Sequence, residues 1–267
     1  MQQETAMQQQ SLLALCLCLL MLALPTLGPA AELSAEQVRE KLAPATAAEP
    51  ADLAGKDLSD LNLSGMDFRH ARLQGASFFG SKLVNCNFGG SDLRAANLNG
   101  AWLMGANFSG ADLTGASLLS VVVLGGEVKT RPVFAGARMQ GVKMIADLPG
   151  ANLAGADLSN ARIGVNIKNQ GMGQMRTDLS SANLAGASLA GTDANRSLMN
   201  FANLRGSNLR DANFFRVKLP GADLTGADVT GADFTEAELE GAIFRGVKGL
   251  EQALGLDKAD NFDKAVR

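Results

Sequence analysis

Between Gly221 and Ala242 the chain reads GADLTGADVTGADFTEAELEGA, a five-residue phrase of one small, one acidic, one large apolar and two variable residues. An α-helix repeats every ~3.6 residues and a strand every second residue, so neither keeps this pattern on one face. We take the large apolar residue as position 0. Such centres run without a gap from Leu53 to Leu118 and from Leu179 to Phe244, fourteen in each run, and Ala194 is the one centre that is not large. Position −2 is small in twenty-four of these twenty-eight repeats, the exceptions being Lys56, Leu61, Met66 and Val217. One large and one small inward side chain in every five describes a backbone that turns a right angle every five residues. Four such sides close a twenty-residue coil, and stacked coils make a solenoid with a continuous interior.

Alternation within each short side puts −2 and 0 inside and −1 outside. Gly is common at +2, where a corner needs positive φ. Coils should stack about 4.8 Å apart, as neighbouring strands do. The aromatic residues support the twenty-residue coil. Phe68, Phe88 and Phe108 are twenty apart, as are Phe214 and Phe234, so each set shares one internal column.

The recurring A-[DN]-L-x-x, as in Ala96–Gly100 or Ala222–Gly226, resembles the pentapeptide-repeat family over most of residues 51–248. The resemblance implies an all-β fold, a right-handed quadrilateral β-helix. It implies no activity.

Two stretches break the rhythm. VVVLGGEVKTRPV (121–133) suggests a hairpin or projecting loop around Gly125–Gly126. Repeats then resume at Ala137–Met139, slip by one residue near Leu148 and reach Ile163, after which GVNIKNQGMGQMR (164–176) departs again. The total is roughly 35 repeats, or eight to nine coils, about 40 Å long at strand spacing. A solenoid needs covered ends. Ser34 with Gln37 forms a capping box for a helix SAEQVREKL, with Leu33 stapled to Val38. In residues 249–267, Leu250, Ala253 and Leu254 share a helical face ending at Gly255, and Phe262 and Val266 mark a second short helix. Short helical caps are therefore expected at both ends, and the carboxyl-terminal one offers a surface for homodimerisation.

The amino terminus has a different character. Ser11–Leu24 is apolar and short for a bilayer span. Gly28 and Ala30 precede a cut near Ala30–Ala31, the pattern of a secretory signal, although the leading residues lack Lys and Arg and contain Glu4. Leu15 and Leu17 precede Cys16 and Cys18 where a lipid anchor would need a small residue. The organisation is thus a signal over 1–30, a capping helix and linker over 31–50, the solenoid over 51–248 and the cap over 249–267. No membrane span remains after cleavage, and the mature chain is expected in the periplasm or outside the cell. Cys86 is then the sole Cys, so no internal disulfide is possible.

Composition argues against most chemistry. One His and no Tyr disfavour acid–base and metal catalysis. A net charge of −3 with mixed signs gives no footprint for nucleic acid. Asp223, Asp228 and Asp233 fall on different sides and diverge. Asp92 and Asp112, twenty apart, are too few oxygens for calcium. Cys86 at −2 is expected buried, and His70 at a corner has no spaced partner. No cofactor or metal is expected. Trp102 at −1 points outward, with Lys82 one coil below and Val122 one above, so Trp102, Lys82, Val122 and Leu124 form the candidate interaction patch. Phe79 and Phe215, at +1, lie far apart.

The reading is an exported, noncatalytic scaffold for a protein partner. Two alternatives stay open. One is a DNA mimic that binds gyrase, as the resemblance allows; it would need a strongly negative face, whereas Arg205, Arg210, Arg216 and Lys218 punctuate one region. The other is an enzyme with a loop-borne site among Glu127, Lys129, Arg131, Lys168 and Arg176.

Overall fold

The computed structural model describes residues 32–123, 130–165 and 176–267. The expected signal, with Cys16 and Cys18, lies outside the described residues. A capping helix α1 (Ala35–Leu42) precedes the coils. The sides are so short that most register as single bridges. The exceptions are β1 (Ala51–Asp52) paired parallel with β2 (Ala71–Arg72), and β3 (Ser117–Leu119) paired parallel with β4 (Lys143–Ile145).

Position −1 sets the register. Asp57, Ser77 and Asn97 pair in sequence, as do Asn62, Lys82 and Trp102, and Asp67, Asn87 and Asn107. The fourth ladder runs Asp52, Arg72, Asp92, Asp112. Four parallel ladders with a twenty-residue offset make the coil four-sided. Positions −2 and 0 fill its interior, where Leu53, Phe68, Ala76 and Leu98 are completely buried. Each buried large side chain contributes about 1.5–3 kcal/mol.

The aromatic column exists as the spacing requires. Phe68 and Phe88 stack at 4.7 Å, Phe88 and Phe108 at 4.8 Å, with ring planes 6° and 0° apart. Phe134 continues the pile at 5.0 Å. Its place there narrows the first interruption. Pro132 is buried at −2, Val133 bridges Asn107 and Asn152, and Phe134 is a centre, so repeats resume before Ala137.

At the amino end the capping box forms as read: the Ser34 hydroxyl accepts from Gln37 N at 3.2 Å, and Gln37 Oε1 accepts from Ser34 N at 2.8 Å. Val38 is fully buried on the first coil, and Leu33 and Leu42 pack beside it. The carboxyl end departs from the expectation. Its short helices are three 3₁₀ turns, Leu250–Gln252, Leu256–Lys258 and Phe262–Lys264. They are the corners of a tenth coil, because Lys248, Leu254, Asp260 and Val266 extend the four ladders. The sides here take six residues: Gly249, Gly255 and Asn261 adopt φ of 73°, 70° and 59°, and the apolar residue follows one place later. Leu250, Leu256 and Phe262 therefore face the core, while Leu254 and Val266, read as parts of helical faces, point outward.

Candidate interaction surface

The hydrogen bonds explain why the repeat asks for Asp or Asn. In the side centred on Leu73, Ala76 N donates to Leu73 O (3.0 Å), Leu73 N to Asp92 O (2.9 Å) and Gly75 N to Arg94 O (2.8 Å). In the next side, Ser77 N donates to Lys56 O (2.9 Å). The fifth amide of a side, at +1, has no carbonyl to meet. The −1 side chain supplies the acceptor instead. Asp52 Oδ1 accepts from Ala54 N at 3.1 Å, Asn107 Oδ1 from Ser109 N at 3.0 Å, and Asp228 Oδ1 from Thr230 N at 3.0 Å. Loss of such an acceptor costs about 1 kcal/mol.

The acidic residues are thus backbone caps. The hydroxyl of Ser59 holds the Asp57 carboxyl below its ordinary range, and Thr230 does the same for Asp228. Asp92 is lowered to about 2, chiefly by its bond from Arg94, with Gln74 assisting against the opposing effect of burial. Asp223, Asp228 and Asp233 stand on three different ladders, and no group of three metal-ligating side chains occurs among the described residues.

Other sequence candidates fall into place. Cys86 is buried, donates to Leu63 O at 3.0 Å, and has its thiol pushed up to about 12 by burial. His70 is exposed at the rim of a groove of about 500 Å³ between α1 and the first coils. The charges along that groove are already paired, Arg69 with Asp67 at 2.6 Å and Arg39 with Glu36. Of the loop residues, Leu124, Glu127, Lys129 and Lys168 lie outside the described residues. Arg131 lies over Gly150, whereas Arg176 lines a separate groove, so these two are not gathered into one site. Among the described residues no helix is long and apolar enough to cross a membrane.

Lys82, Trp102 and Val122 are successive rungs of one ladder. Trp102 is 39% exposed, and Lys82 Nζ lies 5.7 Å from its ring centroid, a cation–π contact. None of the three offers the side-chain oxygen that caps a +1 amide. The most exposed aromatic residue among those described was not singled out by the sequence: Phe201, 69% exposed, at a +2 corner with φ of 57°. Its signal was legible, a ring where the repeat otherwise prefers Gly, Asn, Asp or Ser. Phe215 is half-buried under Arg216, 4.9 Å from guanidinium carbon to centroid, and Phe79 is exposed elsewhere.

Ladders of Asp and Asn caps around stacked Leu and Phe define a four-sided β-solenoid built from five-residue sides. The chain belongs to the family of pentapeptide repeats. That family's model matches in eight copies over 51–83, 71–110, 81–119, 146–163, 175–211 and 212–248, more than half of the chain. No curated relative matches it. Among solved structures it is similar to HetL, a pentapeptide repeat protein involved in heterocyst differentiation regulation in the cyanobacterium Nostoc sp. strain PCC 7120. Identity is 28%, over 86% of this chain and 95% of HetL, with a TM-score of 0.37. It is similar also to Rfr23 of the cyanobacterium Cyanothece 51142 (24% identity, 46% and 90% covered, TM-score 0.31). A third likeness is to a pentapeptide repeat protein of the Arabidopsis thaliana thylakoid lumen (33% identity, 41% and 66% covered, TM-score 0.25).

Proposed function

We propose that this protein is an exported, noncatalytic scaffold, in the periplasm or outside the cell, whose rigid solenoid docks a protein partner through the side marked by Trp102. The observation that carries the reading is the use of position −1. Asp and Asn there are occupied with the backbone, and on the Trp102 ladder the cap gives way to an exposed indole over Lys82. Exposed aromatic area, and Trp above all, is characteristic of interface centres. A DNA mimic would present one continuous acidic side. Here carboxylates are answered in sign between coils, Asp112 by Arg138 (2.9 Å) and Asp223 by Arg205 (2.8 Å). The outward Leu254 and Val266 of the last coil make self-association through the carboxyl end a second contact of the same scaffold.

The test places a photo-crosslinking residue at position 102 and, as a control, at position 114 on a capped side. The full chain is expressed in its native host, and the protein recovered from each cell fraction is sequenced from its amino terminus. The expected result is a chain beginning near Ala31 in the envelope or medium, with a discrete crosslinked partner from position 102 alone. A cytoplasmic chain retaining residues 1–30, or identical crosslinks from both positions, would overturn the proposal.

A further inference from the structure

We propose that the corner column Arg176–Arg196–Arg216, with Leu198 and Phe201 beside it, is a docking site for an acidic peptide segment of a partner protein that also carries Leu or Phe. This rests on the reading of the solenoid as a docking surface and adds a second site and the chemistry of what it takes.

Arg196 and Arg216 occupy the same corner of successive coils, tied by Arg196 N donating to Phe215 O at 2.8 Å. Arg176 directly precedes Thr177 as Arg196 precedes Ser197, and all three Arg side chains line one groove of about 420 Å³ with Lys218, Glu236, Glu238 and Asp260. The lower half of the groove is neutralised internally: Arg216 pairs with Glu236 at 2.6 Å and Lys218 with Glu238 at 3.0 Å. Arg176 and Arg196 have no carboxylate partner among the described residues. Arg196 is half-buried, and its Nε is closed off from solvent without an acceptor. The part of the Arg196 guanidinium that lines the groove is free of a carboxylate, and its planar fork suits a two-oxygen acceptor such as a carboxylate.

Corners of this fold are mostly Gly with positive φ, yet Arg196, Phe201 and Arg216 hold φ of 59°, 57° and 55°. Left-handed backbone costs an L-residue with a Cβ about 1–2 kcal/mol. Nine other described non-Gly corners share this backbone, among them Ala95 and Glu236, so the conformation belongs to the fold; what sets Arg196 and Phe201 apart is a long or bulky side chain that faces outward and does nothing for the core. Phe201 lies across the bare backbone of Gly221, its ring atoms 2.5 Å and 2.6 Å from where a Cβ would stand, so the ring is held in place on the outside.

A peptide suits the surface better than a small anion. Arg196 and Phe201 stand at the two ends of a single five-residue side, with the half-buried Leu198 between them. Cation and exposed apolar area therefore lie within reach of one short segment.

The experiment measures fluorescence anisotropy of a fluorescein-labelled peptide in which Glu, Leu and Ser alternate, titrated with the full chain. The same peptide with Gln for Glu, inorganic pyrophosphate and a single-stranded oligonucleotide serve as comparison probes. Arg196→Gly is the main variant, since Gly fits the corner and should keep the melting temperature within about 3 °C. Lys143→Gln, on another side, controls for general charge. The expected result is saturable binding of the Glu peptide, at least tenfold weaker with Arg196→Gly and with the Gln peptide, and unchanged with Lys143→Gln. Equal loss with Lys143→Gln, no loss with Arg196→Gly, or displacement by equimolar pyrophosphate or oligonucleotide would each overturn it. Crosslinking from position 102 is a separate readout. If it succeeds while the peptide ignores Arg196, this site falls and the scaffold reading stands.

Discussion

Phe88→Ala tests the physical basis of the fold. Phe88 is parallel to Phe68 at 4.7 Å and to Phe108 at 4.8 Å, and Phe78 meets its edge at 5.8 Å. It is completely buried. Truncating a buried Phe to Ala costs about 3–5 kcal/mol, and the amount depends on whether neighbours collapse into the space. Here they cannot. The ladder bonds Phe68 N to Asn87 O and Phe88 N to Asn107 O, both 2.7 Å, fix the coil spacing above and below the hole. Three ring contacts, each worth roughly 0.5–1.5 kcal/mol, also go. The upper end applies, so we expect a loss of about 5 kcal/mol. Phe88→Leu keeps most of the volume and should cost less than half of that. Phe79→Ala, on an exposed ring, should stay within about 0.5 kcal/mol. Urea denaturation followed by far-ultraviolet circular dichroism measures the three, with Trp102 fluorescence reporting on the neighbouring coil. A loss below about 2 kcal/mol for Phe88→Ala, at unchanged denaturant dependence, would refute the claim that a rigid ladder holds the stacked core open.

The tenth coil is tested by Gly249→Ala. A Cβ there would lie 2.0 Å from Thr230 Oγ1 and 2.7 Å from Thr230 Cα, so the last coil should detach, and hydrogen exchange should speed up in residues 248–267 while the Phe68–Phe108 region keeps its protection. Asn107→Ala removes the acceptor for Ser109 N and the 3.2 Å bond to Asn87 Oδ1, and urea titration should show a loss of about 1–2 kcal/mol. Asp92 has a folded-state pKa near 2 against an ordinary 3.8, so its carboxylate stabilises the fold fully above about pH 5, and that contribution fades as pH falls through 3.8 towards 2. Thermal melts of Asp92→Asn should therefore lie below those of the natural chain at pH 6 and converge with them near about pH 2.

Much of the fold was legible because size, more than polarity, carries the code. A small residue at −2 and a large one at 0 left a five-residue period that no other local structure shares, and three Phe residues at twenty-residue spacing fixed four sides per coil. The Ser34–Gln37 box was legible for a similar reason, two reciprocal bonds from two named side chains. The tenth coil was not. Leu250, Ala253 and Leu254 lie at offsets of three and four, which is helical spacing. The six-residue period Ala253–Leu254–Gly255 and Ala259–Asp260–Asn261 recurs too few times to outweigh it. Phe201 and Arg196 were missed for another reason. They sit at +2, a position the packing pattern leaves free: the sequence shows a guanidinium and a ring where Gly is usual, and the left-handed backbone that carries them shows only in the structure.

That freedom locates function in such a fold. The interior is committed to Leu, Phe and Ala, and Asp or Asn at −1 is committed to the fifth amide, so neither carries information about a partner. What remains are the positions where the repeat forgoes its own preference. At Lys82, Trp102 and Leu198 the side chain offers no acceptor to the +1 amide, at about 1 kcal/mol each. At Arg196, Phe201 and Arg216 a Cβ is carried in left-handed backbone at about 1–2 kcal/mol each. The single side from Arg196 to Phe201 thus gives up about 3–5 kcal/mol against a side with Gly at both corners and Asp at −1. No packing gain inside the coil offsets it, because all three side chains point out. A ten-coil rod with every interior column filled has the stability to tolerate such a loss locally, and a binding surface is the physical use to which outward, strained and uncapped residues can be put.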